Sequence, residues 1–328
     1  MQRFRWGIIA TGNIANRFAE QAGDSSYGTI HAVGSRSTER AEAFAAKYGI
    51  PNYYGSYKKL AEDPDVDGVY IATPHHRHKD DTILALNAGK HVLCEKPIAL
   101  NAKEAEEMRK TAKEKDRFLM EAMWMRFNPA IVKVRQLLSE NLLGELTGLR
   151  CDFSFYAPFD REHRLFNLNL AGGALLDIGV YPISFAFMVL GKPSSILSSA
   201  VFSPTGSDSQ NSITFEYSGN KIATLTSGFT HNGERNAAVF GNKGRLEIAE
   251  AWHRSRKVRL VPNTGAIQEW NFTERNYSLH HQGDHMISRL RDGFFESDVI
   301  PLHESIEVMR AMDTIRSQWG LVYPAETI

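Results

Sequence analysis

The chain has 328 residues, with 38 lysine and arginine residues balanced by 38 aspartate and glutamate residues. This length exceeds what one hydrophobic core usually serves, so two domains are expected. The balanced charge, without a basic stripe, excludes a typical nucleic-acid partner. No apolar run reaches the roughly 18 residues of a membrane span, and the N-terminal residues lead directly into a strand pattern. The sequence therefore predicts a soluble, cytoplasmic protein.

Residues 1–123 alternate apolar strand patterns with helical patterns, which is typical of a parallel sheet with crossover helices. The predicted strands are 4–10, 29–34, 68–72, 91–94 and 118–121. The predicted helices are 13–22, 38–47, 80–88 and 102–114. Ser37 is the expected N-cap of the second helix, and Gly89 is expected to end the third. The fold class predicted for this domain is α/β, a Rossmann domain with a doubly wound parallel sheet.

Residues 124–328 have a different pattern, which places the domain boundary near residues 124–129. One helix is predicted at 131–140 and another at 304–319, before Gly320. In the strand pattern 149–156, apolar residues alternate with polar ones, so that strand covers a core with one face. Further strands lie within 211–230 and around the turn at 241–244. We expect an α+β domain with a large, open, mainly antiparallel sheet.

The two cysteines, Cys94 and Cys151, are far apart in the sequence, and each lies inside an apolar strand pattern. This arrangement favours reduced, buried thiols over a disulfide framework. Two histidine groups, at 75–78 and 280–285, lack cysteine or acid partners at metal-ligand spacing. No metal site is therefore predicted.

Residues 6–15 have the strand–turn–helix form of a dinucleotide-binding fingerprint, with Ala10, Gly12 and Ala15 in its small-residue positions. Gly12 allows the backbone to approach a pyrophosphate, and the N-terminus of the next helix offers N–H groups and a favourable dipole. An ordinary tight βα turn is the alternative. The strands and helix around the turn favour cofactor binding. The predicted contacts in this turn are Ala10, Thr11, Gly12, Asn13 and Ile14.

The tip of the second strand bears on which cofactor binds. No carboxylate occupies this tip, where NAD-binding domains hold the ribose hydroxyls. Ser35 and Arg36 stand there instead, followed by Arg40, and a guanidinium can grip the 2′-phosphate of NADP. NADP(H) is favoured, with NAD(H) as the alternative. Arg36 and Arg40 could also be two solvated arginines at a helix start, without a role in cofactor binding. Further contacts are predicted at the same edge of the sheet, at Thr73, Pro74, His75 and His78.

Lys96 follows an apolar strand directly behind the dinucleotide-binding half. Hydride transfer between an alcohol carbon and a nicotinamide needs a group that takes or returns the hydroxyl proton. Lys96 can do so as a neutral base if burial or nearby positive charge lowers its pKa from about 10.4. Glu95 and Pro97 then adjoin the cofactor. A surface turn that ends at proline is the alternative.

Residues 172–182 form a second constellation, which contains Asp177, Tyr181 and Pro182. In a continuous helix, Asp177 and Tyr181 lie four apart on one face, and both can point at a substrate. Pro182 removes a helical hydrogen bond unless it lies in the first turn, which moves the expected helix start towards Gly179. A helix cap for Asp177 and a core aromatic for Tyr181 are the alternatives.

Four segments, 10–15, 94–97, 120–129 and 172–181, occur in the order and spacing of the glucose-fructose oxidoreductase/inositol dehydrogenase/MocA (Gfo/Idh/MocA) family. The chain resembles this family over nearly its whole length. The middle two motifs are similar to the branch with dimeric dihydrodiol dehydrogenase and NADP-dependent D-xylose dehydrogenase. The family usually carries glycine where this chain has Ala10. The resemblance implies an NAD(P)-dependent dehydrogenase or reductase for a CH–OH or C=O group of a sugar, polyol or cyclic diol.

The resemblance also implies site roles. Lys96 is catalytic, Asp177 and Tyr181 lie beside it, and which of Lys96 and Tyr181 passes the proton stays open. The Lys96–Pro97 bond is expected to be cis, and the open face of the second sheet is expected to pair subunits into a homodimer or homotetramer. A substrate pocket is predicted from aromatic and polar residues that also have structural alternatives. These residues are Trp124, Arg126, Phe127, Phe155, Arg161 and His163.

Two other functional classes fit the same scaffold. One is a glycoside hydrolase that retains NAD for a transient oxidation. The other is a non-enzymatic regulator that senses a dinucleotide or a sugar. The presence of Lys96, Asp177 and Tyr181 argues against the regulator.

Overall fold

The computed structural model describes residues 3–249, 251–273 and 277–326. The chain divides into a first unit, Met1–Trp124 with Ser278–Ile306, and a second unit, Met125–Tyr277 with Glu307–Ile328. The sequence pattern placed all of 124–328 in one domain, whereas residues 278–306 cluster with the first unit. An amphipathic helical pattern shows that a helix covers a core, but it does not show which core.

The first unit contains a six-stranded sheet. Its strands are β1 Phe4–Ile9, β2 Gly28–Gly34, β3 Asn52–Tyr54, β4 Gly68–Ile71, β5 His91–Glu95 and β6 Leu119–Ala122. All neighbours pair in parallel, in the order β3-β2-β1-β4-β5-β6. From β1 the strands are added first on one side, as β2 and β3, and then on the other side, as β4, β5 and β6. Dinucleotides bind at such a switch point between β1 and β4, beyond the carboxyl ends of the strands. The predicted Rossmann fold is confirmed.

Helices α1 to α5 connect these strands. They are α1 Asn13–Gln21, α2 Thr38–Tyr48, α3 Tyr57–Ala61, α4 His78–Asn87 and α5 Ala102–Glu114. Ser37 caps α2 as predicted, because its side chain accepts a hydrogen bond from the N–H of Arg40 at 3.2 Å. β3 and α3 were not predicted, because segments of three and five residues are too short for a recognisable period.

The second unit contains an eight-stranded sheet and the helices α6 Pro129–Ser139 and α7 Val180–Leu190. The strands are β7 Leu146–Ser154, β8 Ser195–Phe202, β9 Asp208–Tyr217, β10 Lys221–Gly228, β11 Ala237–Gly241, β12 Gly244–Ile248, β13 Lys257–Pro262 and β14 Gln268–Asn271. Their order is β14-β13-β12-β11-β7-β10-β9-β8, and only β7 and β10 pair in parallel. The predicted mainly antiparallel sheet is confirmed.

The two faces of this sheet differ. On the inner face, Ile213, Phe215 and Leu225 are at most 1% exposed, and α7 packs on β7 and β10. On the outer face, Leu197, Val201 and Ile222 are more than half exposed, at 58%, 57% and 52%. The predicted alternation in 149–156 holds for Leu149, Cys151 and Phe153, but β7 ends at Ser154, which is buried although it was placed on the polar face.

Two helices follow the second sheet, α8 His280–Arg291 and α9 Leu302–Gln318. Cys94 and Cys151 are both buried and free, as predicted. Among the described residues, one helical segment, Leu168–Leu190, is long and apolar enough to cross a membrane by length and composition, contrary to the prediction that no segment of that length exists. Since 83% of its apolar window is buried inside the molecule, it has the character of a core helix.

Candidate active site

The turn between β1 and α1 has open backbone at a helix N-terminus. A Cβ atom built on Gly12 would meet no atom within 4 Å, and no side chain of the described residues caps α1. Ala10, before this turn, has a φ of 86°, in the left-handed region, and its N–H donates to the carbonyl of Gly34 at 2.9 Å. Uncapped N–H groups at an open helix start fit a pyrophosphate. The residues present therefore fit a dinucleotide.

Positive charge gathers at the carboxyl end of β2. Arg36 and Arg40 are exposed, as the NADP hypothesis requires, while Ser35 is buried. The phenol of Tyr57 hydrogen-bonds Arg36, and the charge of Arg77 also acts on Tyr57. Tyr57 and Arg77 were not predicted. They lie in α3 and just before α4, and no sequence pattern shows that these segments meet the tip of β2.

One acidic residue, Glu39, lies in the first turn of α2, shortly after this tip in the sequence. Its carboxylate accepts a hydrogen bond from the hydroxyl of Ser37 at 2.6 Å. The exposed Glu39 carboxylate is thus held by the helix cap.

His78 joins two loops at the carboxyl edge. Its ring is fully buried, with Nδ1 at 2.7 Å from the carbonyl of Pro97 and Nε2 at 2.9 Å from the carbonyl of Thr73. These contacts occupy both ring nitrogens, so His78 holds the loops after β4 and β5 together and does not have the cofactor-contacting geometry expected of it. The Thr73 hydroxyl is buried and has no hydrogen-bond partner among the described residues, as a cofactor contact requires.

Lys96 follows a buried carboxyl group. The Lys96–Pro97 bond is cis, as the resemblance implied. Glu95 accepts hydrogen bonds from the Tyr70 hydroxyl and, at 3.3 Å, from the backbone N–H of Lys96. Burial raises the pKa of Glu95 to about 7, against the opposing effects of the Tyr70 hydrogen bond and the Lys96 charge. Glu95, predicted to contact the cofactor, is only 5% exposed and is engaged with the interior of the sheet.

Glu121 fixes the loop after the cis bond. Its carboxylate accepts hydrogen bonds from the backbone N–H of Ile98 at 3.1 Å and from the hydroxyl of Ser305 at 2.7 Å. Glu121 belonged to a recognised motif, but it was not assigned a role because its partner Ser305 lies 184 residues away.

Asp177 and Tyr181 lie on one continuous helical stretch in the second unit. Residues Leu175–Gly179 form a π-helix that runs directly into α7 at Val180. Helical backbone therefore starts before Gly179, so the expected helix start near Gly179 is wrong. Pro182 lies directly after the π-helix, where the hydrogen-bond pattern returns to that of an α-helix. Asp177 and Tyr181 are 6% and 5% exposed. Single π turns inside helices are frequent at functional sites.

Arg164 pairs with Asp177. Its Nη1 lies 3.0 Å from the Asp177 carboxylate, and the charge of Asp177 raises the pKa of the guanidinium, to which Tyr181 also contributes. Arg161 and His163, predicted to line the pocket, lie in the same loop and are exposed, as is Arg164 itself. No periodicity within a loop shows which basic side chain turns towards Asp177, so Arg164 was missed.

Two rings pack against Tyr181. The ring centroid of Tyr181 lies 5.3 Å from that of Phe153 and 5.7 Å from that of His253. Phe153 and His253 stack with centroids 4.0 Å apart, and His253 is 5% exposed. His253 was not predicted, because it belongs to a short turn after β12 without a recognisable motif.

The residues predicted to line a substrate pocket differ in burial and in the side chains that they contact. Arg126 is 1% exposed, and its Nη2 donates to the carbonyl and the hydroxyl of Ser184 at 2.7 and 3.0 Å, so it anchors α7. Trp124 and Phe127 are buried. Phe155 packs against Phe229, with ring centroids 5.2 Å apart. A pocket formed by Trp124, Phe127, Phe155, Arg161 and His163 stays a prediction.

One group of potential metal ligands comes together in the described part of the chain, at His31, Asp63 and Asp65. Both carboxylates are already engaged: Asp63 accepts from the Tyr54 hydroxyl at 2.9 Å, and Asp65 accepts from Arg5 at 2.6 Å. We assign no ion to this group.

The chain is similar to known proteins over its full length. Residues 4–123 match the model of an oxidoreductase family with an NAD-binding Rossmann fold, and residues 131–247 match the GFO/IDH/MocA C-terminal domain. The trans-1,2-dihydrobenzene-1,2-diol dehydrogenase of Mus musculus is 38% identical over 333 residues, which cover 98% of each chain. The Homo sapiens enzyme of that name is 36% identical over 335 residues, with the same coverage.

Solved structures show the same fold. The aldose-aldose oxidoreductase of Caulobacter crescentus, in complex with glycerol, has a TM-score of 0.88 and 24% identity, and the match covers 98% of this chain and 99% of that one. A levoglucosan dehydrogenase, in complex with NADH and levoglucosan, has a TM-score of 0.89 and 18% identity, with coverage of 98% and 100%. The chain belongs to the GFO/IDH/MocA family and is an NAD(P)-dependent dehydrogenase.

Proposed function

We propose that this dehydrogenase uses NADP(H) and acts on a CH–OH or C=O group of a cyclic diol or a sugar. The observation that carries the proposal is the buried Asp177, paired with Arg164 and four residues before Tyr181 on the same helix. The dihydrodiol dehydrogenases among the relatives support the diol, and the aldose and levoglucosan enzymes among the solved structures support the sugar.

The roles of the residues follow from their chemistry. When bound, the nicotinamide supplies the hydride chemistry. In oxidation, the phenolate form of Tyr181, aided by the ammonium group of Lys96, takes the proton from the substrate hydroxyl. In reduction, the phenol of Tyr181 gives its proton to the carbonyl oxygen and becomes the phenolate. Arg164 holds the carboxylate of Asp177 in place, so that Asp177 accepts a hydrogen bond from the substrate hydroxyl and orients it.

The roles of Lys96 and Tyr181 can be tested with Lys96→Met and Tyr181→Phe. Each should lower kcat by about 10²- to 10⁴-fold, the usual contribution of a general acid–base group. The dissociation constant for NADPH should change little. The assay follows NADPH absorbance with a panel of cyclic diols and sugars, and the exposed Tyr156→Phe is the control. Normal turnover in both variants would overturn the assignment.

The same assay separates the other functional classes. Product formation without a proportional change in free reduced cofactor would indicate a glycoside hydrolase that retains NAD. Tight dinucleotide binding without turnover on the whole panel would indicate a regulator.

The preference for NADP rests on Arg36, supported by the Tyr57 hydrogen bond and the nearby charge of Arg77. Paired hydrogen bonds from a guanidinium to a phosphate are strong and depend on geometry. Arg36→Ala should therefore raise the dissociation constant for NADPH by about 10- to 100-fold and leave that for NADH nearly unchanged. Fluorescence titration measures both constants, with the exposed Arg109→Ala as the control. An equal effect on the two cofactors would contradict the preference.

We also infer a homodimer or homotetramer that forms through the outer face of the second sheet and works in the cytoplasm. Support for the assembly comes from Leu197, Val201 and Ile222, which expose apolar side chains on that face.

A further inference from the structure

A buried carboxylate, Asp208, lies at the start of the helical stretch that carries Asp177 and Tyr181. Asp208 is the first residue of β9 and is fully buried. Its Oδ2 accepts a hydrogen bond from the N–H of Leu175 at 2.7 Å, and the N–H of Ala174 also donates to this carboxylate. The first N–H groups of a helix have no partner within the helix, so Asp208 supplies acceptors that would otherwise be missing.

The carboxylate belongs to a network that spans two strands. Asn211 Nδ2 donates to Asp208 Oδ2 at 3.0 Å, and the hydroxyl of Ser227 donates to Asn211 Oδ1 at 2.8 Å. Asn211 on β9 and Ser227 on β10 stand opposite each other in the sheet. Both side chains are buried, at 3% and 1% exposure. The helix start is thus tied by hydrogen bonds to the paired strands β9 and β10.

Two glycines bring the helical stretch directly onto this network. A Cβ atom on Gly173 would lie 2.2 Å from Asp208 Oδ1, and one on Gly179 would lie 2.9 Å from the hydroxyl of Ser227. Contacts this short exclude a larger residue at Gly173, whose φ of 145° also disfavours one. These glycines of the 172–182 motif therefore allow close packing on Asp208 and Ser227.

A buried carboxylate at this position carries a desolvation penalty. Burial raises the pKa of Asp208 to about 7, although the N–H of Leu175 and the amide of Asn211 act in the opposite direction. Asp208 Oδ1 and the hydroxyl of Tyr323 are buried without hydrogen-bond partners among the described residues. A serine or asparagine caps an ordinary helix without this desolvation penalty.

We propose that Asp208 is a positioning residue for the reaction. With Asn211 and Ser227, it fixes the start of the stretch so that Asp177 and Tyr181 keep their rotation and depth. This inference rests on the proposed function, because the position of this stretch matters for turnover only if Asp177 and Tyr181 act on the substrate. A displacement of about 1 Å at such residues can cost about 10²-fold in rate.

The test compares Asp208→Ala, Asp208→Asn and Ser212→Ala, where Ser212 lies on the exposed face of the same strand. Asp208→Ala should lower kcat about 10- to 100-fold with an unchanged dissociation constant for NADPH. Asp208→Asn keeps an oxygen that can accept the same N–H bonds, so it should stay within about threefold of the wild type. Hydrogen exchange of peptides that cover 174–181 should speed up in Asp208→Ala and not in Ser212→Ala.

Wild-type kcat and wild-type exchange in Asp208→Ala would overturn the inference. A lower kcat with unchanged exchange would also overturn it, because Asp208 would then act by some means other than the position of the helix. If Asp208→Ala does not fold, Ser227→Ala takes its place, with a smaller loss of kcat and faster exchange at 174–179 as the expected result. If the wild type turns over no diol or sugar, the proposed function fails. The exchange result then still supports or overturns the anchoring by Asp208.

Discussion

Ala10 shows how a single residue can store strain at a cofactor site. Its φ of 86° costs a residue with a Cβ atom about 1–2 kcal/mol, which glycine avoids. Ala10→Gly should therefore raise the free energy of unfolding by up to about 1 kcal/mol, since the greater freedom of glycine in the unfolded chain offsets part of the gain. Thermal or urea unfolding measures the change.

A matched substitution in α1 should have the opposite sign. Ala19→Gly replaces a helical alanine and should lower the stability by about 1 kcal/mol or more. Destabilisation by Ala10→Gly of the same size as that by Ala19→Gly would show that the backbone at residue 10 is not strained.

Glu95 predicts a pH dependence of stability. Its pKa is raised from 4.5 to about 7 in the folded protein by burial, so the unfolded chain loses this proton at lower pH than the folded one. Stability relative to Glu95→Gln should therefore fall as pH rises from about 4.5 to about 7, and level off above that. The total change is at most about 3 kcal/mol.

The measurement is the difference in Tm between the wild type and Glu95→Gln, at pH values from 5 to 8. The exposed Glu234→Gln is the control for general charge effects. A difference that does not change with pH would mean that Glu95 is ionised throughout this range.

At the scale of elements, we expect a glycine-to-alanine substitution in the helical stretch with Asp177 and Tyr181 to destabilise the protein, which is the opposite of the effect that helix propensity predicts. Alanine in place of a helical glycine usually stabilises by about 1 kcal/mol. At Gly179 the new Cβ atom would lie 2.9 Å from the hydroxyl of Ser227, so Gly179→Ala should destabilise by about 1–3 kcal/mol. In α8, the nearest atom to a Cβ on Gly283 is 3.6 Å away. Gly283→Ala should therefore be neutral or stabilising, and urea unfolding of both variants tests the contrast.

Elements with a clear period or cap were predictable from the sequence. Helix α5 was predicted at its observed bounds, and α2 was predicted from its cap at Ser37. The π-helix was not predictable, because Pro182 pointed to a helix start near Gly179, and a wider turn leaves no periodic trace over five residues. Short strands such as β3 and β14 were missed for the same lack of length.

At the scale of the molecule, motifs located candidate residues but not their neighbours. Lys96, Asp177 and Tyr181 came from local motifs. Arg164 and His253 were missed, because contacts to them cross loops whose paths are set by packing and not by local pattern. The placement of 278–306 in the first unit has the same cause. The motifs therefore gave candidate residues, whose roles stay predictions, and the tertiary structure was needed to find the side chains that contact them.

For the whole molecule, the exposed apolar side chains on the outer face of the second sheet predict that subunits associate through this face. Leu197 and Val201 lie on the same outer side of β8 and are 58% and 57% exposed. Replacement of both by aspartate would bury charges in a subunit interface on that face, at a cost of several kcal/mol. Light scattering should show a monomer for the double variant and the expected dimer or tetramer for the wild type. Val132→Asp, on an exposed position of α6, should keep the wild-type mass. An unchanged mass in the Leu197 and Val201 variant would exclude this face, because a sheet-to-sheet interface cannot hold two unpaired carboxylates per subunit without measurable dissociation.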